Sequence, residues 1–156
     1  MERTDIGFAP EEIVTSEPTR AARLKWVLVV DEAVPVGRMV NAAACIAATT
    51  GSMVEGLVAP GGPDAAGTIH PGLPWVGCAV LSATAAELAA VREKAAATEG
   101  VLVVDMPAVA QRHRVYDDYL VELAETKAED LAVCAVSIVG PRNRVDKLVR
   151  RLPLLA

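Results

Sequence analysis

Leu24-Lys25-Trp26-Val27-Leu28-Val29-Val30 is apolar at every position but Lys25, and its reading decides the fold. A strand with one wet face alternates apolar and polar residues, whereas an unbroken apolar run fits a strand covered on both faces. Residues 24–30 therefore predict a central strand with helices on either side of its sheet. Working downstream, Pro35 and Gly37 lead into an Ala-rich helix over 38–49, whose small side chains allow close approach to a sheet, with Gly51 as its expected stop. Between 51 and 74 the density of Gly and Pro excludes a long helix and predicts a shaped loop. Residues 75–81 read as a second buried strand. Thr84-Ala85-Ala86-Glu87 has the spacing of a capping box, so a helix over 85–98 should start at Thr84 and end at Gly100.

A third strand is predicted over 101–104, stopping at Asp105 and Pro107. Tyr116, Tyr119, Leu120 and Leu123 recur at helical spacing, with Asp117, Asp118, Glu122 and Glu125 as a solvated face. Residues 131–139 supply a fourth strand, Gly140-Pro141 a turn, and Val145, Leu148, Val149 and Leu152 a final helix. The alternation of strands and helices predicts a three-layer α/β/α sandwich with a four-stranded mixed sheet over 24–156. Residues 1–23 lack sustained periodicity and read as an N-terminal arm, pinned by Ile13 and Val14.

Composition narrows the function classes. The chain is 53% hydrophobic but only 3% aromatic, so Ala, Val, Leu and Ile must fill its core. No apolar run approaches the roughly 20 residues of a membrane span, and the N-terminus lacks the apolar stretch of a signal peptide; a cytoplasmic protein is expected. A formal charge of −5 argues against a broad nucleic-acid surface. Within the chain, Arg142, Arg144, Lys147, Arg150 and Arg151 form a basic cluster, read either as a phosphate contact or as a solvated helix face. Cys45, Cys78 and Cys134 lie far apart without the close pairing of a zinc or redox motif, and packing thiols are expected. Neither His70 nor His113 has a partner at metal spacing, so no metal and no cofactor is expected.

Several segments, in order, resemble the type II peptidyl-tRNA hydrolases. Lys25-Trp26-Val27-Leu28-Val29-Val30 is similar to that family's opening strand, Val36-Gly37-Arg38 to the start of its first helix, and Leu102-Val103-Val104-Asp105 to its third strand. Val139-Gly140-Pro141, Val145-Asp146-Lys147-Leu148 and Leu152-Pro153-Leu154-Leu155 resemble its terminal signature. Counting from Gly37, however, the family's helix Gln falls on Ala42 and its His on Cys45; shifting by one residue brings Asn41 near the Gln and Ala44 onto the His. After Asp105 the chain reads Met106-Pro107-Ala108 and inserts the amphipathic helix. These departures, with Asn41-Ala42-Ala43-Ala44 and His70-Pro71-Gly72, resemble the bacterial domain-of-unknown-function family two thousand, a group with the hydrolase-like fold.

The resemblance implies Lys25 and Asp105 as catalytic candidates and Arg38 as a ligand-binding one; Asn41, an amide in an Ala-rich helix that needs partners if buried, and His70, in the Gly/Pro-rich loop before the second strand, join Arg38 as ligand-binding candidates. Together they would form a cleft for a small anionic or acyl-bearing molecule, with Arg38 holding a carboxylate or phosphate by two parallel hydrogen bonds. Two other readings stay open. Lys25, Arg38 and Asp105 can instead be ion pairs at the end of a sheet, in a domain that kept the fold and lost the reaction; Asn41 can tether a loop. Peptidyl-tRNA cleavage is the third choice, given the missing Gln and His. Ala-rich composition and low net charge, with pairing implied by the resemblance, predict a homodimer, in which Tyr116, Tyr119 and Leu123 form part of the contact or pack on their own sheet.

The capping box gives a direct test. Thr84→Ala is expected to cost on the order of 1 kcal/mol, measured as a lowered denaturation midpoint.

Overall fold

The computed structural model describes residues 6–156. Its first strand is β1, Leu24–Asp31, buried from Trp26 to Val30. Helix α1 (Val36–Met53) follows, then a small antiparallel hairpin of β2 (Gly62–Pro63) and β3 (Ile69–His70). Next come β4 (Ala79–Ala83), α2 (Ala85–Ala96), β5 (Leu102–Pro107), α3 (Tyr116–Glu125), β6 (Val133–Pro141) and α4 (Arg142–Val149). The four-stranded sheet has the order β4-β1-β6-β5. Strands β1 and β4 are parallel, while β6 lies antiparallel to both β1 and β5.

The two-sided burial expected of β1 is present. Trp26, Leu28 and Val30 join Met39, Ala42 and Ile46 of α1 on one face. Val27 and Val29 pack on the other with Leu88, Val91 and Ala95 of α2 and Val145 and Val149 of α4. The sheet is thus the middle of three layers. The capping box forms as read: the Glu87 N–H donates to Thr84 Oγ1 at 3.2 Å, and the Thr84 N–H to Glu87 Oε2 at 2.8 Å.

Several boundaries differ from expectation, each for a physical reason. Helix α1 runs past Gly51 to Met53 because Thr50 is fully buried and its carbonyl accepts the Val54 N–H at 2.9 Å. The second sheet strand begins at Ala79 because Trp75 and Val76 pack inward and Gly77, at φ 70°, makes a left-handed turn. Strand β5 continues to Pro107, which an edge strand tolerates. Gly140 and Pro141 remain in β6 rather than turning, opposite Lys25 and Leu24. A Cβ at Gly140 would lie 2.9 Å from Val101 Cγ2, so glycine is needed there for close packing.

The stretch before β1 is tied to the domain by one of the two residues expected and by two others. Ile13 does pack on the core, but Val14 is exposed, and Ile6 and Phe8 are the buried anchors. The Phe8 ring sits 4.8 Å from that of Trp75, and the Phe8 N–H donates to Glu55 O at 2.9 Å. The first five residues of the expected arm lie outside the described ones. At the far end of the chain, the Ser82 N–H donates to Pro153 O and the Leu155 N–H to Val80 O, both at 2.9 Å. The 152–155 segment therefore covers the outer edge of β4, an edge that would otherwise be open to pairing.

A buried polar relay joins α1 to the sheet. Trp26 Nε1 donates to Ser137 Oγ at 2.8 Å, and Ser137 Oγ lies 2.7 Å from Thr50 Oγ1, which bonds Ile46 O at 2.7 Å. The single Thr50 proton goes to the carbonyl, so Ser137 donates to Thr50 and accepts from the indole. Ser137→Ala is expected to lower stability by about 1–3 kcal/mol by stranding the Trp26 N–H. In a Trp26→Phe background the same change should cost less, a coupling readable by denaturant titration as a double-mutant cycle.

Candidate functional site

The candidates named from sequence do not meet in one cleft. Lys25, near the start of β1, donates through Nζ to Asp146 Oδ1 of α4 at 2.5 Å. Asp105 in β5 accepts from Arg92 Nε of α2, also at 2.5 Å. Arg38 and Asn41 lie instead on the exposed side of α1, beyond the far end of β1. From Lys25 to Asp31 the strand spans roughly 20 Å at about 3.3 Å per residue, and α1 lies on the opposite face from α2 and α4. The expected joint cleft is therefore corrected. Gln111 Nε2 donates to Arg38 O at 2.8 Å and to Asn41 Oδ1 at 3.2 Å, so Asn41 tethers the segment after β5. His70 sits in the small hairpin, its Nε2 3.2 Å from Asp64 Oδ2. That contact, followed by the Thr68 N–H, holds the Asp64 carboxyl below the usual carboxylate range.

What the fold does build is a groove of about 460 Å³ between α1, the β5 edge and the region of α3. Cys45, Ile46 and Thr49 of α1 form one wall. Residues 104–107 form the floor, and His113, Arg114, Tyr116 and Tyr119 close the other side. Cys45 is exposed here rather than buried as expected. Cys78 is also exposed as a residue, but its sulfur turns back to within 3.9 Å of Ala79 O, and desolvation pushes its thiol up to about 12. Cys134 is buried, as expected of a packing thiol.

A family model described as "Protein of unknown function (DUF2000)" matches residues 24–156, nearly the whole of the folded chain. The chain belongs to the DUF2000 family. Among solved structures, the fold is similar to that of a protein of unknown function, Atu0240, from Agrobacterium tumefaciens strain C58. The two share 14% identity and a TM-score of 0.73, and the match covers 86% of this chain and 98% of that one. At that identity the likeness is one of fold alone. No curated protein matches.

In this DUF2000 member the polar rim of the groove is held by contacts to Glu122 that periodicity did not suggest. His113 Nε2 and Arg112 Nη2 both bond Glu122 of α3, one to each carboxylate oxygen. His113 first, then Arg112, holds the Glu122 carboxyl below its ordinary range. Burial, then Tyr116 and Asp105, push the Tyr119 hydroxyl up, and its ring meets Tyr116 edge-on at 5.4 Å. Arg114 has no ion-pair partner among the described residues. The arrangement offers an apolar trough, one free cation and an exposed thiol. No group of three or more His, Cys, Asp or Glu among the described residues could hold a metal ion. Likewise, no described helix is long and apolar enough to cross a membrane. Sequence reasoning did not bring His113, Arg114, Tyr119 and Glu122 to one site, because Glu122 read as part of a solvated face and Tyr119 as a dimer contact or sheet packing. The one available signal was the Gln111-Arg112-His113-Arg114 run ahead of that helix.

Proposed function

We propose that the protein binds a small acyl-bearing anion in this groove, with the apolar body against Ile46, Met106 and Tyr119 and the acidic end at Arg114. The observation that carries the reading is that Cys45 and the β5 stretch containing Asp105 line one groove, the Asp105 carboxylate itself being held by Arg92. Cys45 and Asp105 are the two positions that the resemblance to type II peptidyl-tRNA hydrolases matches to that family's helix His and strand-end Asp. The hydrolase-like name for the fold belongs to the same proposal and is supported by the Gly140-Pro141 and 152–155 segments. An apolar trough with few polar groups is the usual form of a small-ligand site. A thiol replaces the imidazole, and Ala42, fully buried, replaces the amide. Binding is therefore the better-supported activity, and peptidyl-tRNA cleavage the weaker one.

The test uses a panel of N-acyl amino acids. A bound member should raise the thermal midpoint, since it binds only the folded state, and should slow alkylation of Cys45 by iodoacetamide, read by peptide mass spectrometry. Arg114→Ala should abolish both effects while Arg38→Ala leaves them. Loss with Arg38→Ala alone would move the site back to the start of α1, and stabilisation without protection of Cys45 would take the ligand out of the groove.

A second reading, homodimerisation, is favoured by one observation. Helix α3 has no buried residue, and Val115, Tyr116, Leu120 and Val121 beside and within it are 55%, 72%, 43% and 58% exposed. Tyr116 and Leu120, one turn apart on α3, share an exposed apolar face of the kind that marks contact surfaces, and a twofold pairing would cover two such faces at once. Light scattering is expected to give a dimer for the native chain and a monomer for Tyr116→Glu. A native monomer at micromolar concentration would overturn the reading.

A further inference from the structure

The basic cluster at the end of the chain is divided by the fold into two sets with different employment. Arg142 is structural: its Nε donates to Ala22 O at 3.3 Å and its Nη2 to Thr19 O at 3.1 Å. Arg144 is also engaged, through Nη1, by Glu99 O. Lys147, Arg150 and Arg151 are not. They face Lys94 of α2 across a groove of about 390 Å³ between α2 and α4, floored by Ala90, Val91, Leu148 and Leu152. None of these four cations has an ion-pair partner among the described residues. One carboxylate, Glu87, lines the same groove, and its Oε2 is occupied by the Thr84 N–H.

We infer that the α2/α4 groove is a site for a small oligophosphate. Four cations against one carboxylate make the groove net +3 in a chain of net −5, which leaves −8 for everything else. That focusing of positive charge favours a compact ligand with several negative charges over a monocarboxylate. Arg150 and Arg151 supply the planar forks that grip phosphate oxygens by paired hydrogen bonds, with Lys94 and Lys147 as point charges. The helix macrodipole accounts for a cation in each last turn, but it does not require four of them to face one groove. A nucleic acid fits less well, because no aromatic side chain among the described residues lines the groove to stack a base.

The experiment is calorimetric titration of the full chain with inorganic triphosphate. Saturable binding of one molecule per chain is expected, weakening as salt is raised. Lys147→Glu with Arg151→Glu should weaken it by about tenfold or more, since each side chain supplies a charge-assisted contact. Arg20→Glu with Lys127→Glu makes the same change in net charge outside the groove and should leave binding within about twofold, the residual long-range effect of net charge. If the groove pair fails to fold by circular dichroism, Lys94→Gln with Arg150→Gln serves in its place. Absence of saturable binding, or equal weakening in both double variants, overturns the inference. So does tighter binding of an oligoribonucleotide than of triphosphate, which would make the patch a nucleic-acid surface.

Discussion

The relay from the Trp26 indole through Ser137 and Thr50 to the Ile46 carbonyl is the constraint on which the rest of the molecule depends. It links β1, β6 and α1 through groups that are 6%, 1% and 0% exposed. Apolar packing alone fixes how much area α1 covers but less strictly how it is rotated or slid, because the hydrophobic effect is non-directional. Hydrogen bonds in a low-dielectric interior are selective: a small slip would strand donors, each costing about 1–3 kcal/mol. Fixing Thr50 fixes the stripe of Cys45, Ile46 and Thr49 next to it. That stripe is one wall of the apolar groove, so the geometry of the candidate site follows from a bond network buried behind it.

The two edges of the sheet have opposite fates, and this polarises the molecule. At β4 the 152–155 segment adds main-chain hydrogen bonds and closes the edge. Beyond β5 there is no further strand among the described residues. In its place stand the 3-10 turn Ala108–Gln111 and helix α3, which rests on that turn rather than on the sheet. The gap between α3, the edge and α1 is the groove. Pro107 removes one donor from the edge, a device that discourages strand-to-strand pairing.

Much of this was legible in the chain itself. The two-sided burial of β1, the four strands, the capping box at Thr84 and the three layers all follow from local periodicity and turn chemistry, which depend on near neighbours in sequence. The family was legible too, through the departures after Asp105 together with Asn41-Ala42-Ala43-Ala44 and His70-Pro71-Gly72, whereas the reason for the Leu152-Pro153-Leu154-Leu155 tail, edge closure, was not. Boundaries were less secure. Gly51 carries the signal of a helix stop, but a buried Thr50 with a partner on β6 outweighs the roughly 1 kcal/mol that a mid-helix glycine costs.

The site was hardly legible, because its chemistry consists of pairings between distant residues. Sequence presents Lys25, Arg38 and Asp105 as charges near strand and helix ends, with nothing to say which face of the sheet each one takes. Tertiary structure assigns Lys25 to Asp146 and Asp105 to Arg92, leaves Arg114 free, and turns Cys45 outward. It also divides one run of basic residues, giving Arg142 and Arg144 to backbone carbonyls and setting Lys147, Arg150 and Arg151 opposite Lys94. Periodicity determines which side of an element faces the core. Only the packing of one element against another decides which charge meets which, since that choice depends on distances in space that sequence separation does not encode.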